Sequence, residues 1–197
     1  QEIIELWNKL FEKVRHLLTK SNKLQTIETI NNVKKYGDTN NIQIMITFTT
    51  CKRLDLFKQT INSILNHWTD KDKIGYWLCV DDNSSETDRI EMKNLYPWIE
   101  YYLKTYEEKG HRKSMNIIWN KLNELKPKYW IHMEDDFLFY YKTNYIEQAI
   151  NALNQLSKSH SVKQILFNRN YTETIDNYNV IGHIKTSVND IVLHNFC

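Results

Sequence analysis

The sequence predicts an α/β fold, in which a mostly parallel sheet carries helices on both faces and an N-terminal helical extension precedes it. Strand-like and helix-like segments alternate regularly from residue 42 to residue 167, and such alternation is typical of a parallel sheet covered by helices. Three of the strand-like runs end in polar clusters. The first twenty residues instead repeat apolar side chains at intervals of three and four, which indicates an amphipathic helix.

The N-terminal extension is predicted to cover residues 1–41. Its helix, at residues 2–20, is expected to pack on the main domain or on a partner chain, because its apolar face is wide. The polar stretch after it ends in residues 37–41, which contain Gly, Asp and Asn and are expected to form a linker. The main domain is predicted to cover residues 42–197.

The alternating elements follow from the periodicity of the apolar residues. Helices are predicted at residues 54–67, 86–95, 112–125 and 144–157. Strands are predicted at residues 42–49, 76–81, 99–104, 128–134 and 162–167. The alternation is lost beyond residue 168, and residues 190–194 are predicted as one last strand.

Composition narrows the class of protein. A chain of 197 residues with 41% hydrophobic residues can bury a core, and no apolar run approaches the roughly 18 residues that span a bilayer. We therefore expect a soluble, cytoplasmic chain without a membrane span. The 26 basic and 24 acidic residues nearly balance, which argues against a nucleic-acid-binding surface. The three cysteines, Cys51, Cys79 and Cys197, are expected to be reduced and buried.

Three consecutive carboxylates end the predicted strand at residues 128–134 and its following turn: Glu134, Asp135 and Asp136. Carboxylates at positions i and i+2 of a strand end point the same way. Two hard oxygen donors with open coordination positions suit Mg²⁺ or Mn²⁺ shared with a phosphate. The sequence therefore predicts a divalent metal site, with a solvated turn after an edge strand as the alternative.

Two further strands also deliver polar residues at their carboxyl ends. The strand at residues 76–81 runs into Asp81, Asp82 and residues 83–85, and the first strand runs into Thr50 and Arg53. Ligands bind beyond the carboxyl ends of the strands in open parallel sheets, so we expect these side chains to line a ligand site. Capping of the next helix is the alternative for Asp81 and Asp82, but it accounts for one residue of that cluster and not for all five.

Four motifs, in order over about residues 42–170, resemble the nucleotide-sugar glycosyltransferases of the GT-A fold, especially family 2. Residues 46–53 (ITFTTCKR) resemble the first strand of that family with its Thr-Tyr-Asn-Arg turn, and residues 80–84 (VDDNS) resemble its Val-Asp-Asp-Gly-Ser segment. Residues 109–116 (KGHRKSMN) resemble its Gly-rich turn ending in Arg-Asn. Residues 133–136 (MEDD) resemble its D-x-D motif.

The resemblance implies a GT-A, Rossmann-like domain that moves a sugar, expected to come from a UDP-sugar, to an acceptor hydroxyl with inversion. It implies that Asp136 and Glu134 bind Mn²⁺ or Mg²⁺, and that Lys113 is a further candidate for phosphate contact. The residues that it assigns to the donor nucleotide are Thr50, Arg53, Asp81, Asp82, Arg112, Asn116, Glu134 and Asp135.

The chain departs from the family pattern in three respects. Cys51 and Lys52 stand where the family has Tyr and Asn, and Glu134 stands where it has Asp. The chain also ends about 60 residues after Asp136, where relatives usually continue into an acceptor-binding part, so that part is expected to be truncated. An inverting transferase needs a general base, and the candidates here are Asp190 first, then Asp176, Glu173 and His194.

Three alternatives remain open at this point. A sugar-phosphate nucleotidyltransferase uses a related fold and metal, but it normally carries a Gly-rich loop that residues 49–53 lack. A signalling receiver domain also binds Mg²⁺ through carboxylates at strand ends, and a degenerate, non-catalytic binding module is the third alternative. The expected partners are a nucleotide sugar, a glycan or protein acceptor, and either additional domains or a second copy of the chain through the N-terminal helix.

Overall fold

The computed structural model describes residues 42–160, 162–167, 184–188 and 191–194. The chain divides into two compact units, Gln1–Asn151 and Ala152–Cys197. The predicted N-terminal helix and linker lie outside the described residues.

From residue 42 onward, the first unit contains four strands and the helices between them. The strands are β1 (Ile44–Thr50), β2 (Tyr76–Asp81), β3 (Glu100–Leu103) and β4 (Tyr129–Glu134). The helices are α1 (Leu54–His67), α2 (Glu86–Leu95), α3 (His111–Leu125) and α4 (Tyr145–His160), the last of which crosses the boundary between the units. A short 3₁₀ helix, Lys71–Lys73, precedes β2.

The four strands form one parallel sheet in the order β3-β2-β1-β4. The prediction of an α/β fold with a parallel sheet is therefore confirmed. The order in which strands are added to the sheet changes sides at β1. The chain adds β2 and β3 on one side of β1 and then returns to add β4 on the other side. Such a switch point opens a crevice at the carboxyl ends of the two strands.

Both faces of this sheet are covered. Side chains alternate between faces along a strand, and Phe48 packs edge-on against Phe57 of α1, with ring centroids 6.2 Å apart. On the opposite face, Met45 belongs to a buried cluster with Ile118 and Leu122 of α3. Helices thus lie on both faces of the sheet, as predicted.

Local sequence explains where several helices begin and end. The Ser85 hydroxyl accepts a hydrogen bond from the backbone N–H of Asp88, which caps the start of α2. Helix α3 starts after Gly110, whose φ of 112° is open to glycine. The last residue of this helix is Leu125, and Lys126 follows it in the left-handed conformation. The helix does not extend further, because the next residue is Pro127 and proline cannot continue a helix.

Of the two strands predicted beyond α4, the structure contradicts the first and shows the second. Residues 162–167, predicted as a strand, have no regular secondary structure, because a short apolar run forms a strand only where a neighbouring strand can accept its hydrogen bonds. The predicted last strand is present as β6 (Ile191–His194). It pairs antiparallel with β5 (Ile184–Val188), which the sequence did not reveal.

Among the described helices, none combines the length and the hydrophobicity that a crossing of the bilayer requires.

The left-handed residue at the end of α3 yields a first prediction. Lys126→Gly should raise the free energy of unfolding by about 0.5–1 kcal/mol, because glycine adopts a positive φ without the steric cost that a Cβ atom brings. Chemical denaturation of the purified chain would measure this change. Lys126→Ala removes the same long side chain but keeps the Cβ atom, so it should bring no such gain; equal effects of the two substitutions would contradict the explanation.

Candidate functional site

The carboxyl ends of three strands lie flush at one edge of the sheet. Thr50 is in register with Asp81, and Thr49 is in register with Glu134, so that Asp135 follows at the level of Thr50. Thr50, Asp81 and Asp135 are all buried. Parallel register thus brings together residues from three motifs that lie up to 85 positions apart in the sequence.

Asp135 forms the buried centre of this edge. Its Oδ2 accepts hydrogen bonds from the Thr50 hydroxyl (2.8 Å), from the backbone N–H of Cys51 (3.4 Å) and from Arg53 Nε (3.2 Å). Its Oδ1 forms an ion pair with Nη2 of the same arginine. Arg53 therefore contacts the two oxygens of Asp135 through Nε and Nη2, a paired geometry that arginine and carboxylate prefer.

The outer two carboxylates of the cluster face solvent. Glu134 is exposed, and the Asp136 side chain is 47% exposed. Arg53 Nη1 lies 3.4 Å from Asp136 Oδ2, but ion pairs between exposed groups contribute only about 0–1 kcal/mol. The three consecutive carboxylates thus have different environments, with the central one buried and both outer ones accessible to a ligand.

Glu134 and Asp136 are the accessible carboxylates of the cluster that was predicted to bind a divalent cation. Within the described residues, no three His, Cys, Asp or Glu side chains form a group that could hold a metal ion. Glu134 and Asp136 can supply two carboxylates. Mg²⁺ is usually bound in this manner, through one or two carboxylates together with substrate phosphates, so these two residues suit a phosphate-bound cation better than a free one.

Asp81 is committed to the inside of the molecule. Its Oδ2 accepts hydrogen bonds from Arg89 Nε at 2.7 Å and from the backbone N–H of Ser84 at 3.1 Å. Arg89 also donates to the backbone carbonyl of Lys104 at 2.6 Å. Asp81 therefore ties the start of α2 to the end of β3, and the role in nucleotide binding that the resemblance gives it stays a prediction.

Asp82 forms a second ion pair, with the fully buried Lys104. Lys104 Nζ lies 2.9 Å from Asp82 Oδ1 and donates hydrogen bonds to the carbonyl of Gly110 (2.9 Å) and to the Ser114 hydroxyl (2.8 Å). The Gly110 N–H donates back to Asp82. This network fixes the turn before α3 against the end of β2. The Asp82 side chain keeps 18% of its surface exposed.

The pKa of Asp82 lies below its ordinary value of 3.8. Desolvation raises the pKa, but the hydrogen bonds from Lys104 and Gly110 and the charges of Lys104 and Lys109 outweigh it. Asp82 is therefore ionised at neutral pH.

The turns after β1 and β2 hold each other in place. The Asp82 N–H donates to the Thr50 carbonyl at 2.7 Å, and the Lys52 N–H donates to the Ser84 hydroxyl at 2.8 Å. Lys52 and Asn83 both have positive φ, 55° and 64°. Backbone conformations of this kind persist where the surroundings stabilise them, often at functional sites.

The environments of two cysteines are now defined. Cys79 is a buried free thiol, as predicted, whereas Cys51 is exposed, which corrects the expectation that it is buried. Cys51 lies in the turn directly after β1, outside the strand itself. Its Sγ donates a hydrogen bond to the backbone carbonyl of Asp82 at 3.2 Å.

The start of α3 carries two predicted phosphate contacts, Arg112 and Lys113, and Asn116, which was predicted to bind the donor nucleotide. Arg112, Lys113 and Asn116 are exposed, and the first turn holds no acidic residue. Lys113 Nζ donates to the carbonyl of Glu107. Lys113 and Asn116 line a surface depression whose other residues are Glu108, Ile117 and Asn120, so this depression is formed by α3 and the loop before it, and it contains no residue of β4.

A polar cluster formed by Thr47 of β1 with Trp130 and His132 of β4 was not identified in the sequence analysis. His132 Nδ1 lies 2.9 Å from the Thr47 hydroxyl, which also accepts a hydrogen bond from Trp130 Nε1 at 2.9 Å. Desolvation and the nearby charge of His111 lower the pKa of His132, and a hydrogen bond with the backbone of Thr47 offsets only part of this effect. The imidazole of His132 is therefore neutral at pH 7.

Lys104 and Arg89 were missed as well. One signal was present for Lys104, because it directly follows β3 and so lies at the same sheet edge as the other candidates. Arg89 gave no such signal, since a basic residue within a helix usually lies on its solvated face.

The predicted general base cannot be placed. Asp190, Asp176 and Glu173 lie outside the described residues. His194 belongs to β6, of which only the backbone is described.

No protein-family model matches the chain, and no curated protein matches it significantly.

The ion pair of Asp82 and Lys104 yields a second prediction. Asp82→Asn should destabilise the chain by about 2–4 kcal/mol, because it leaves the buried Lys104 charge without an anion. Lys104→Met should cost less, because Asp82 keeps some contact with water. Thermal and chemical denaturation of both variants and of the double variant would test this, and a double variant whose loss equals the sum of the single losses would show that the two side chains do not interact.

The lowered pKa of His132 yields a third prediction. The ordinary pKa of histidine is 6.5. Around and below this pH, the unfolded chain binds more protons at His132 than the folded chain does. The contribution of neutral His132 to the free energy of unfolding is therefore retained above pH 6.5 and is lost as the pH falls. His132→Asn keeps a hydrogen-bonding group near Thr47 but does not titrate. Its free energy of unfolding should change less than that of the wild type between pH 7 and pH 5; an identical slope would contradict the assignment.

Proposed function

We propose that the chain transfers a sugar from a nucleotide-sugar donor, expected to be a UDP-sugar, to an acceptor hydroxyl. The observation that carries this proposal is the position of the accessible carboxylates Glu134 and Asp136 at the switch point of a parallel sheet, beside Arg53. Open α/β sheets bind ligands at such a point. The resemblance of four ordered motifs to GT-A glycosyltransferases supports the same reaction.

In this proposal Glu134 and Asp136 hold Mn²⁺ or Mg²⁺ together with the diphosphate of the donor. When bound, the cation would act as a Lewis acid that neutralises the charge developing on the nucleotide diphosphate as the glycosidic bond breaks. Asp135 has a different role, because it is buried and holds the guanidinium group of Arg53 at the site.

Arg53 and Arg112 are proposed to bind the phosphates. Arg53 is 45% exposed, so its guanidinium group can be reached from solvent. Arg112 lies in the first turn of α3, where unpaired N–H groups and the helix dipole also favour an anion. Both residues would orient the diphosphate as the leaving group.

The nucleoside is proposed to bind beside the end of β2. Asp82 offers an ionised carboxylate that is partly exposed, and such a group can accept hydrogen bonds from a ribose hydroxyl or from the N–H of a base. Since Thr50 and Asp81 are buried and hydrogen-bonded within the fold, their contribution in this proposal is to position Asp135 and the start of α2.

The chemical step is proposed to invert the anomeric carbon. The acceptor hydroxyl would lose its proton to a general base on the face opposite the leaving diphosphate, and Asp190 remains the candidate for that base. The acceptor, a glycan or a protein hydroxyl, is not specified by the residues that the structure describes.

The order of the strands in the sheet differs from that of a receiver domain. A receiver domain has the order 2-1-3-4-5, in which β1 lies between β2 and β3, whereas here β1 lies between β2 and β4. The receiver alternative is therefore set aside. A nucleotidyltransferase would also bind a nucleotide and a cation at these carboxylates, so the reaction product distinguishes it from a glycosyltransferase.

Calorimetric titration gives the first test of the proposed function. UDP, GDP and CMP would be titrated into the chain with and without Mn²⁺. We expect one of these nucleotides, most readily UDP, to bind only when Mn²⁺ is present. Asp136→Asn should weaken that binding at least tenfold, because it removes a charged oxygen ligand.

The matched control is Asp72→Asn, which removes an exposed carboxylate near the amino end of β2. It should leave the binding unchanged. If a folded chain binds none of the three nucleotides, the proposed function is wrong. If it binds UDP, the UDP-sugars would be screened next, and release of free UDP from a UDP-sugar would separate glycosyl transfer from nucleotidyl transfer.

A further inference from the structure

We propose that the helix predicted at residues 2–20 docks on an apolar strip between α3 and β4 of the same chain. The strip, which we call the tryptophan strip, consists of Met115 and Trp119 of α3 and Trp130 of β4. The helix is predicted from the sequence and lies outside the described residues. Neither the candidate carboxylates nor a nucleotide takes part, so this docking is independent of the proposed function.

The face of the sheet under α3 is too wide for one helix. Four strands about 4.8 Å apart span roughly 15–20 Å, whereas a helix with its side chains is about 10–12 Å across. Helix α3 packs over β1 and β2, where Ile118 and Leu122 join a buried cluster with Met45 and Leu78. Within the described part of the chain, the part of this face at β4 therefore remains to be covered.

Strand β4 shows this incomplete cover directly. It is the outermost strand on its side of the described sheet. Its first four residues, 129–132, are only half-buried, whereas every residue of β2 is buried. The difference indicates that β4 lies at a surface that a further element can cover.

The two flanks of α3 differ in chemistry. On the flank toward β3, Lys121 Nζ lies 3.4 Å from Glu100 Oε1 and 5.9 Å from the centre of the Tyr76 ring. On the flank toward β4, the rings of Trp119 and Trp130 lie against each other with centroids 5.2 Å apart. Trp119 nevertheless remains 50% exposed. Polar contacts thus close the first flank, and the second presents aromatic surface to water.

The tryptophan strip is held in place by the fold. Trp130 Nε1 donates a hydrogen bond to the Thr47 hydroxyl at 2.9 Å, and the Trp130 ring lies 5.7 Å from the ring of His132. Met115 packs against the buried cluster beneath α3. Because Trp130 is fixed in this way, it cannot turn to cover the exposed part of Trp119. Contiguous exposed apolar surface of this kind is typical of a surface on which another element packs.

The chain enters the sheet beside the tryptophan strip. The N–H of Tyr129 donates to the carbonyl of Gln43 at 2.9 Å, and Trp130 is in register with Met45 of β1. The segment before β1 therefore joins the domain at the amino end of β4. Residues 21–41 separate the predicted helix from this point, and they can reach about 70 Å when extended. The helix can thus reach the strip of its own chain.

The predicted helix offers a matching surface. One face of it is apolar along its whole length and includes Leu6, Leu10, Val14 and Leu17. An isolated helix of this length is only marginally stable in water, so its apolar face needs a surface to pack on. Laid beside α3, the helix would be the second cover that this face of the sheet requires.

The first test is photo-crosslinking of the full chain with p-benzoylphenylalanine in place of Trp119. Cross-linked peptides would be mapped by mass spectrometry. We expect position 119 to cross-link to residues 2–20 of the same chain, in a product with the mass of one chain. The control places the same group at Ile90, which is 53% exposed on α2, and it should give no cross-link to residues 2–20.

Hydrogen–deuterium exchange gives a second readout. Trp119→Lys places a charge in the strip, so amide exchange in residues 2–20 should become about tenfold faster or more, because an undocked helix is only marginally stable. Leu10→Lys should have the same effect from the side of the helix. Asn8→Lys, on the polar face of the helix, and Ile90→Lys should leave this exchange unchanged.

Circular dichroism would show whether each variant folds. If Trp119→Lys does not fold, Leu10→Lys still tests the docking, because it leaves the sheet and α3 intact. A cross-link from position 119 to a second copy of the chain would overturn docking within one chain and would identify the strip as an interface between copies. The proposal is also wrong if position 119 never cross-links to residues 2–20, or if their exchange is equally fast in the wild type and in both lysine variants.

Discussion

Burial of carboxylates at one edge of the sheet is the constraint on which the rest of this site depends. The parallel register places Asp81 and Asp135 at the same level on either side of Thr50, and both are removed from water. A buried charge costs several kcal/mol unless a cation and hydrogen bonds compensate it. Each carboxylate is accordingly paired, Asp135 with Arg53 and Asp81 with Arg89, while the neighbouring Asp82 is paired with Lys104.

These three ion pairs also connect the elements around the site. Arg53 directly precedes α1, Arg89 lies in α2, and Lys104 follows β3. Each cation thus ties one of these elements to the end of a strand. We infer that the sheet edge is preorganised, so that a ligand would meet side chains already fixed in place, which lowers the entropy cost of binding.

The exposed groups are those that the internal pairing leaves over. Glu134 and Asp136 point to solvent on either side of the buried Asp135, and Asp82 keeps part of its surface exposed. This division separates a buried, internally paired carboxylate from two accessible ones within one cluster of three. It also explains how this part of the chain combines a stable edge with carboxylates that remain accessible from solvent.

The sequence by itself determined the elements and the edge at which the candidates meet. Each strand of the sheet was predicted to within two residues. The signal was clearest in the two buried central strands, β1 and β2, in which a largely apolar run ends in a polar cluster. The helices were predicted to within three residues, since their apolar faces repeat every three or four residues. The strand expected at residues 162–167 was wrong, since an apolar run does not reveal whether a pairing partner exists.

Only the tertiary structure decided what each candidate does. The sequence treats Glu134, Asp135 and Asp136 alike, and the fold buries one and exposes two. The sequence likewise offered no reason to pair Arg89 with Asp81 or Lys104 with Asp82. Those contacts depend on how the helices and the neighbouring strand pack against the sheet. Periodicity is a local property and can be read along the chain, whereas burial and charge pairing are set by residues distant in sequence and exist only once the chain has folded.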